Sequence, residues 1–226
     1  MKRSPSEPDD RTSRARIRDA ALHLFAERGA EGVTVRQIAA AAKVSPALVV
    51  RHFGSKDGLR DEVDRHVLRA FDAMLAEVRA GNAQAPVDPA AMGSMAEAVV
   101  RHLPAGSPIP RYLGRLLLDR SKAGRALFKK VFGLGQATLG ALVDAKLASP
   151  GAHPGARAAF LTANDLAVLL LREPLTEWLG VDPLSRAGIT LWGGEVLDVY
   201  ARGLGASPPK PSKPSRARPI RRKPPR

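Results

Sequence analysis

The chain has 226 residues, 44% hydrophobic and 26% charged, which is enough for one large or two small domains with a real core and excludes wholesale disorder. The formal net charge is +14 and the sequence pI about 11.0, pointing to a polyanionic partner such as nucleic acid, although residues 206–226 supply +8 of that charge and contain no acid. The absence of cysteine excludes disulfides and thiolate metal sites; no apolar run approaches the roughly 18 residues of a membrane span, so a soluble cytoplasmic protein with no membrane attachment is expected.

Aromatic residues make up only 4% of the chain and alanine is abundant, a composition suited to helices packed through small and aliphatic side chains. Residues 1–11 mix Pro, Ser and charges without apolar periodicity and read as a flexible arm. Arg11, Arg14 and Arg16 at its end are either solvated charges at a helix start or arms for DNA. A first helix is expected from Thr12 or Ser13 to Arg28, with Ile17, Ala20, Ala21, Leu24 and Phe25 inward and Gly29 as its stop.

Two short helices follow. Thr34 can cap one whose apolar positions are Val35, Ile38, Ala39 and Ala42; Ser45 can cap the next, with Pro46 in its first turn and Val49 and Phe53 facing inward. This is the layout of a helix-turn-helix. The second helix, Ser45 to His52, would be roughly 12 Å long, and the major groove of B-DNA is about 12 Å wide.

A fourth helix, capped by Ser55, runs to about Arg79 with Leu59, Val63, Val67, Phe71, Met74 and Val78 on one face, and Asp57, Asp61 and Asp64 read as its solvated side. After a loop from Ala80, Asp88-Pro89 starts a fifth helix to about His102. A turn-rich stretch from Leu103 to Pro110 precedes a sixth at Arg111 to Leu118. The seventh spans Ser121 to Leu147, with Leu127, Val131, Leu134, Leu139, Leu142 and Val143 apolar. Its Gly133, Gly135 and Gly140 mark close helix packing or room beside a cavity.

The eighth helix begins near Ala156 and carries Leu166 to Leu171, and Pro174 should kink or end it. Asp182-Pro183 starts a ninth, to about Gly203, with a stripe of Ile189, Trp192, Val196, Val199 and Tyr200. These two helices have more apolar surface than one monomer covers. Tyr112, Phe128, Phe132, Phe160, Trp178 and Trp192 fit an ordinary core better than an effector pocket. Residues 206–226, proline alternating with lysine and arginine, read as a disordered tail.

The series Ala20-Ala21-Leu22-His23-Leu24-Phe25-Ala26-Glu27-Arg28-Gly29, Val35-Arg36-Gln37-Ile38-Ala39, Val44-Ser45 and His52-Phe53-Gly54-Ser55-Lys56 resembles the amino-terminal domain of the TetR/AcrR family of bacterial transcriptional regulators, over roughly residues 14 to 66. The resemblance implies an all-α protein of about nine helices: a three-helix DNA-binding domain at 12–58 and a helical ligand-sensing and dimerisation domain at 59–205. It also implies a double-stranded DNA operator as partner, a homodimer through the last two helices (about 156–203), and an unknown small-molecule effector.

Base edges carry sequence and phosphates hold register, so the start of the recognition helix, Ser45, Pro46, Ala47 and Leu48, is where base contact should occur. Arg36 matches a family position that can approach a base, with a phosphate or an intramolecular pair as the alternative. Thr34, Arg51, His52, Ser55 and Lys56 suit phosphates, Lys56 as the family's usual clamp. Two departures stand out: Lys43 occupies a turn position usually held by glycine, and Val50 replaces a tyrosine that commonly donates to a phosphate.

His23, His52, His66, His102 and His153 are scattered, no serine sits in a nucleophile elbow, and neither catalysis nor a metal or cofactor is expected. The function expected is a sequence-specific regulator, a ligand-responsive repressor of a palindromic operator. The alternative is a non-specific architectural DNA-binding protein relying on its basic tail.

Overall fold

In a computed structural model, residues 7–81, 89–104, 106–146 and 148–204 are described, and they contain ten helices and no strand. These are α1 (Glu7–Arg28), α2 (Val35–Ala42), α3 (Pro46–Phe53), α4 (Lys56–Gly81), α5 (Pro89–His102), α6 (Ile109–Leu118), α7 (Lys122–Asp144), α8 (Pro154–Leu170), α9 (Arg172–Leu179) and α10 (Arg186–Leu204). The fold is all-α, with an amino-terminal helix-turn-helix and a helical carboxy-terminal body. The basic tail, the first six residues and most of the expected loop after Ala80 lie outside the described residues.

One core runs through both parts of the chain. Ile17 and Phe25 from α1, Ile38 from α2, Val49 from α3, and Leu59, Val63 and Val67 from α4 are essentially inaccessible to water, and the same cluster continues through Phe71 and Met74 to Leu113 and Leu127. All six apolar positions expected on the inner face of α4 are buried. Its 26 residues carry that stripe for roughly 39 Å, from the reader into the body.

Several boundaries differ from expectation: the last helix, expected from Asp182-Pro183, starts at Arg186, where Ser185 Oγ accepts the Gly188 N–H at 3.0 Å, and α6 starts at Ile109 rather than Arg111. Helix α1 begins at Glu7, within the segment expected as an arm, and Asp10 there faces His52. The expected eighth helix is two helices, so ten replace nine. The break falls at Leu171 (φ −110°, ψ 20°), three residues before Pro174. Pro174 lacks the N–H that would bond the carbonyl of Leu170, so α8 stops there, and the proline becomes the third residue of α9, where no helical donor is needed. Helix α7 stops at Asp144 rather than Leu147.

Burial corrects two readings. Asp64 is not on a solvated face: it is 7% exposed and accepts a hydrogen bond from the Tyr112 hydroxyl at 2.6 Å, joining α4 to α6. Of the aromatic residues expected in the core, Tyr112 is buried, but Phe128, Phe160 and Trp178 stand on outer faces, Trp178 at 87% exposure. Gly135 is a packing glycine, since a Cβ there would lie 2.5 Å from Thr162 Oγ1 on α8, whereas Gly133 and Gly140 face open space.

Candidate nucleic-acid interface

Local chemistry builds the reader. Thr34 is extended (φ −102°, ψ 155°); its Oγ1 accepts the Gln37 N–H at 3.3 Å while Gln37 Oε1 accepts the Thr34 N–H at 2.8 Å, closing a capping box on α2. Ser45 Oγ accepts the Leu48 N–H at 3.2 Å and starts α3, with Pro46 at its first position. Ser55 Oγ accepts the Gly58 N–H at 3.0 Å and starts α4. Between α2 and α3 the chain turns on Lys43, which is left-handed (φ 56°, ψ 47°). Its N–H reaches Ala40 O at 3.1 Å and the Val44 N–H reaches Ala39 O at 2.9 Å, the paired bonds of a Schellman stop. The turn keeps the geometry that glycine would supply and bears the cost of a side chain there.

Helix α3 buries Val49 and Phe53 and presents Pro46, Ala47, Val50 and Arg51 to solvent. Leu48 is half-buried against the core, so it has less surface to offer a thymine methyl than the sequence suggested. Arg36, Lys43 and Arg51 are exposed, and their side chains have no hydrogen-bonding or ionic partner among the described residues. Ser45 is exposed, as are Thr34 and Ser55, with their hydroxyls engaged in the caps.

His52 is placed differently. Its side chain is 7% exposed, Nε2 lies 3.4 Å from Asp10 Oδ1 without the alignment of a hydrogen bond, and the ring centroid is 6.0 Å from that of Phe53. Little of the ring is left for a phosphate, with Asp10 of α1 set against it. Arg14, whose sequence setting suggested either solvent or DNA, keeps 47% of its side chain exposed and also bonds within the protein. Its Nη1 donates to His52 O at 3.1 Å, its Nη2 to Glu62 Oε2 at 3.2 Å, and its guanidinium carbon lies 4.8 Å from the Phe53 ring centroid. It ties α1, the end of α3 and α4 together. Glu62 also meets Arg65 at 2.9 Å and Arg69 at 3.4 Å. Burial alone would raise its carboxyl, but Arg65, Arg14 and Arg69 together hold it below the usual carboxylate range.

Lys56 is half-buried and its Nζ donates to Ala30 O at 3.1 Å, bracing the loop after α1; two ammonium hydrogens remain for a phosphate. A further set of contacts, invisible to periodicity, joins reader and body. Arg115 on α6 donates through Nε to Ala26 O at 2.7 Å and through Nη2 to Glu27 O at 2.6 Å, satisfying carbonyls at the end of α1. Arg60 pairs with Asp119 and lies 3.6 Å from Glu31. The only advance signal was chemical: a buried tyrosine needs a partner for its hydroxyl and a helix end needs donors for its carbonyls.

Residues 17–63 match the family described as bacterial regulatory proteins, tetR family. The HTH-type transcriptional regulatory protein RaaS of Mycobacterium tuberculosis is 37% identical over 203 residues, covering 86% of this chain and 88% of its own. The HTH-type transcriptional regulator BetI of Burkholderia thailandensis is 41% identical over 73 residues, 32% of this chain and 37% of its own. In fold, the chain is similar to the crystal structure of HlyIIR, a hemolysin II transcriptional regulator (TM-score 0.61, 17% identity, 88% of this chain and 99% of that one). It is similarly close to a bacterial regulatory protein in the tetR family from Rhodococcus RHA1 (TM-score 0.61, 20% identity, 90% and 100% covered).

Proposed function

Because the chain belongs to the TetR family of DNA-binding transcriptional regulators, we propose that it is a ligand-responsive repressor, acting in the cytoplasm as a homodimer on a roughly palindromic operator. The observation that carries this reading is the capped recognition helix, whose exposed first turn is flanked by the unpartnered cations Arg36, Lys43 and Arg51. Helix α3 spans roughly 12 Å, so it fits one major groove, and a two-fold axis would set two such helices one helical turn apart or a multiple of it. Few polar groups face the bases, so specificity would lean on Arg36, Ser45, apolar contacts and reader spacing. Thr34, Ser55, Lys56 and Arg51 would hold phosphates.

The dimer is supported by apolar surface that a monomer leaves in water: Phe160 on α8 is 64% exposed, Trp178 on α9 is 87% exposed and Val199 on α10 is 61% exposed. A ligand held by the body would release DNA through its difference in affinity between two reader spacings.

Footprinting on genomic DNA tests the reading: dyad-symmetric protection is expected, and protection with no preferred site would overturn it. Arg36→Ala should relax preference at one base step, while Lys56→Ala should weaken all sites alike; equal effects would refute the assigned roles. Operator specificity should survive removal of residues 206–226, and its loss with the fold intact would transfer the function to the basic tail.

A further inference from the structure

An open cleft of about 830 Å³ lies between α1, α6 and α9, a size in the range of small-molecule sites. Its charges are unequally committed. Arg115 is bound to the end of α1, Arg172 to Asp182 through bonds of 2.9 and 2.5 Å, and Arg111 lies 3.3 Å from Glu173. Two carboxylates that line it, Glu27 of α1 and Glu177 of α9, have no hydrogen-bonding or ionic partner among the described residues. Of the residues lining the cleft, Leu118 is 75% exposed and Leu170 40% exposed, apolar surface left in water.

A cleft that sets the carboxylates of Glu27, Glu173, Glu177 and Asp182 against the guanidiniums of Arg111, Arg115 and Arg172, with aliphatic surface exposed among them, complements a bulky apolar body with a positive charge. An anion would meet uncompensated carboxylates, and a neutral sugar would desolvate the leucines for little return. We infer that this cleft is the effector site and takes a bulky lipophilic organic cation, its charge held by Glu27 and Glu177. This rests on the ligand-responsive reading above. The location supplies the coupling: Arg115 lines the cleft and holds the last carbonyls of α1, and Glu27 itself belongs to α1. An occupant therefore touches the helix that braces the reader. A shift of α1 between reader positions would change the occupant's contacts, the difference in affinity through which linkage acts.

The test uses two probes of nearly the same shape and opposite charge, tetraphenylphosphonium and tetraphenylborate, with the full-length protein in equilibrium dialysis and operator binding followed in parallel by fluorescence anisotropy. The phosphonium should bind one per protomer, and the borate at least about tenfold more weakly. Glu27→Gln and Glu177→Gln should each weaken phosphonium binding about tenfold, and the double variant should no longer discriminate between the probes. Both side chains are exposed, so unchanged thermal unfolding is expected of the variants. Equal binding of the two probes, or a double variant that binds phosphonium like the parent, would overturn the site. Carboxylate-dependent binding that leaves operator affinity unchanged would overturn its effector role. Failure to find a specific operator would instead refute the repressor reading and leave the dialysis result standing on its own.

Discussion

Replacing Lys43 by glycine should make the protein more stable and a weaker DNA binder at once. Lys43 sits at φ 56°, ψ 47°, where a Cβ crowds the following carbonyl at a cost of roughly 1–2 kcal/mol. Glycine removes that strain and keeps the bonds from residues 43 and 44 to Ala40 O and Ala39 O, which are backbone only. It adds back about 0.4–1 kcal/mol of unfolded-chain entropy, so a net gain near 1 kcal/mol remains. For a chain of this length that corresponds to a rise in Tm of about 2–4 °C, read by circular dichroism melting. Lys43→Ala is the control, since it loses the same ammonium but keeps the strained backbone, and should show no such rise. Both variants should weaken operator binding and lower the slope of log K against log salt by about 1, if the exposed ammonium approaches a phosphate. Equal melting temperatures for the two variants would refute the strain argument; unchanged salt slopes would refute the electrostatic one.

Three further outcomes follow from buried contacts. Burial lifts the Asp64 carboxyl above its ordinary range, against the Tyr112 hydrogen bond and Arg60, which pull it down. Its folded form therefore binds protons more tightly than the unfolded chain, and stability falls as pH rises through the folded pKa. Asp64→Asn should remove that slope, so the variant gains on the parent as pH rises above about 4 in urea unfolding, and a parent that gains on the variant would contradict it. Glu62 has the opposite sign, its carboxyl held low by three arginines, so Glu62→Gln should cost about 1–2 kcal/mol near neutrality and progressively less as acid protonates the parent; a constant deficit would refute the assignment. Gly135→Ala would normally gain up to about 1 kcal/mol in a helix, but a Cβ 2.5 Å from Thr162 Oγ1 should turn this into a loss of about 1–3 kcal/mol. Thr162→Ala in the same chain should restore most of it; no rescue would place the cause elsewhere.

What could be read in advance was local. Thr34, Ser45, Ser55 and Ser121 each accept an N–H three residues on, a relation contained within four letters of sequence. The buried stripe of α4 follows from a 3.6-residue period and needs no knowledge of its partner. The contacts that escaped are long-range: Tyr112 with Asp64 is separated by 48 residues, and Arg115 with Ala26 by 89. Nothing in either neighbourhood signals the other. The burial of the His52 ring could not be read ahead because Asp10, which lies against it, belongs to a segment whose proline and charges suggested no helix. The exposed aromatics were misread for another reason: the spacing of an apolar side chain along a helix does not tell whether the face it lies on is covered.

The hold of Arg115 on the end of α1 bears on how freely such proteins can be recombined. The reader is not a cassette closed on itself, because two of its helix-terminal carbonyls are satisfied by a side chain that lies 86 residues beyond its Gly29 stop. A chimera that grafts residues 12–58 onto another sensor body would strand those carbonyls unless the new body places a guanidinium at the position of Arg115. The boundary for exchange is therefore set by a donor on α6 and not by the loop where the helix-turn-helix ends.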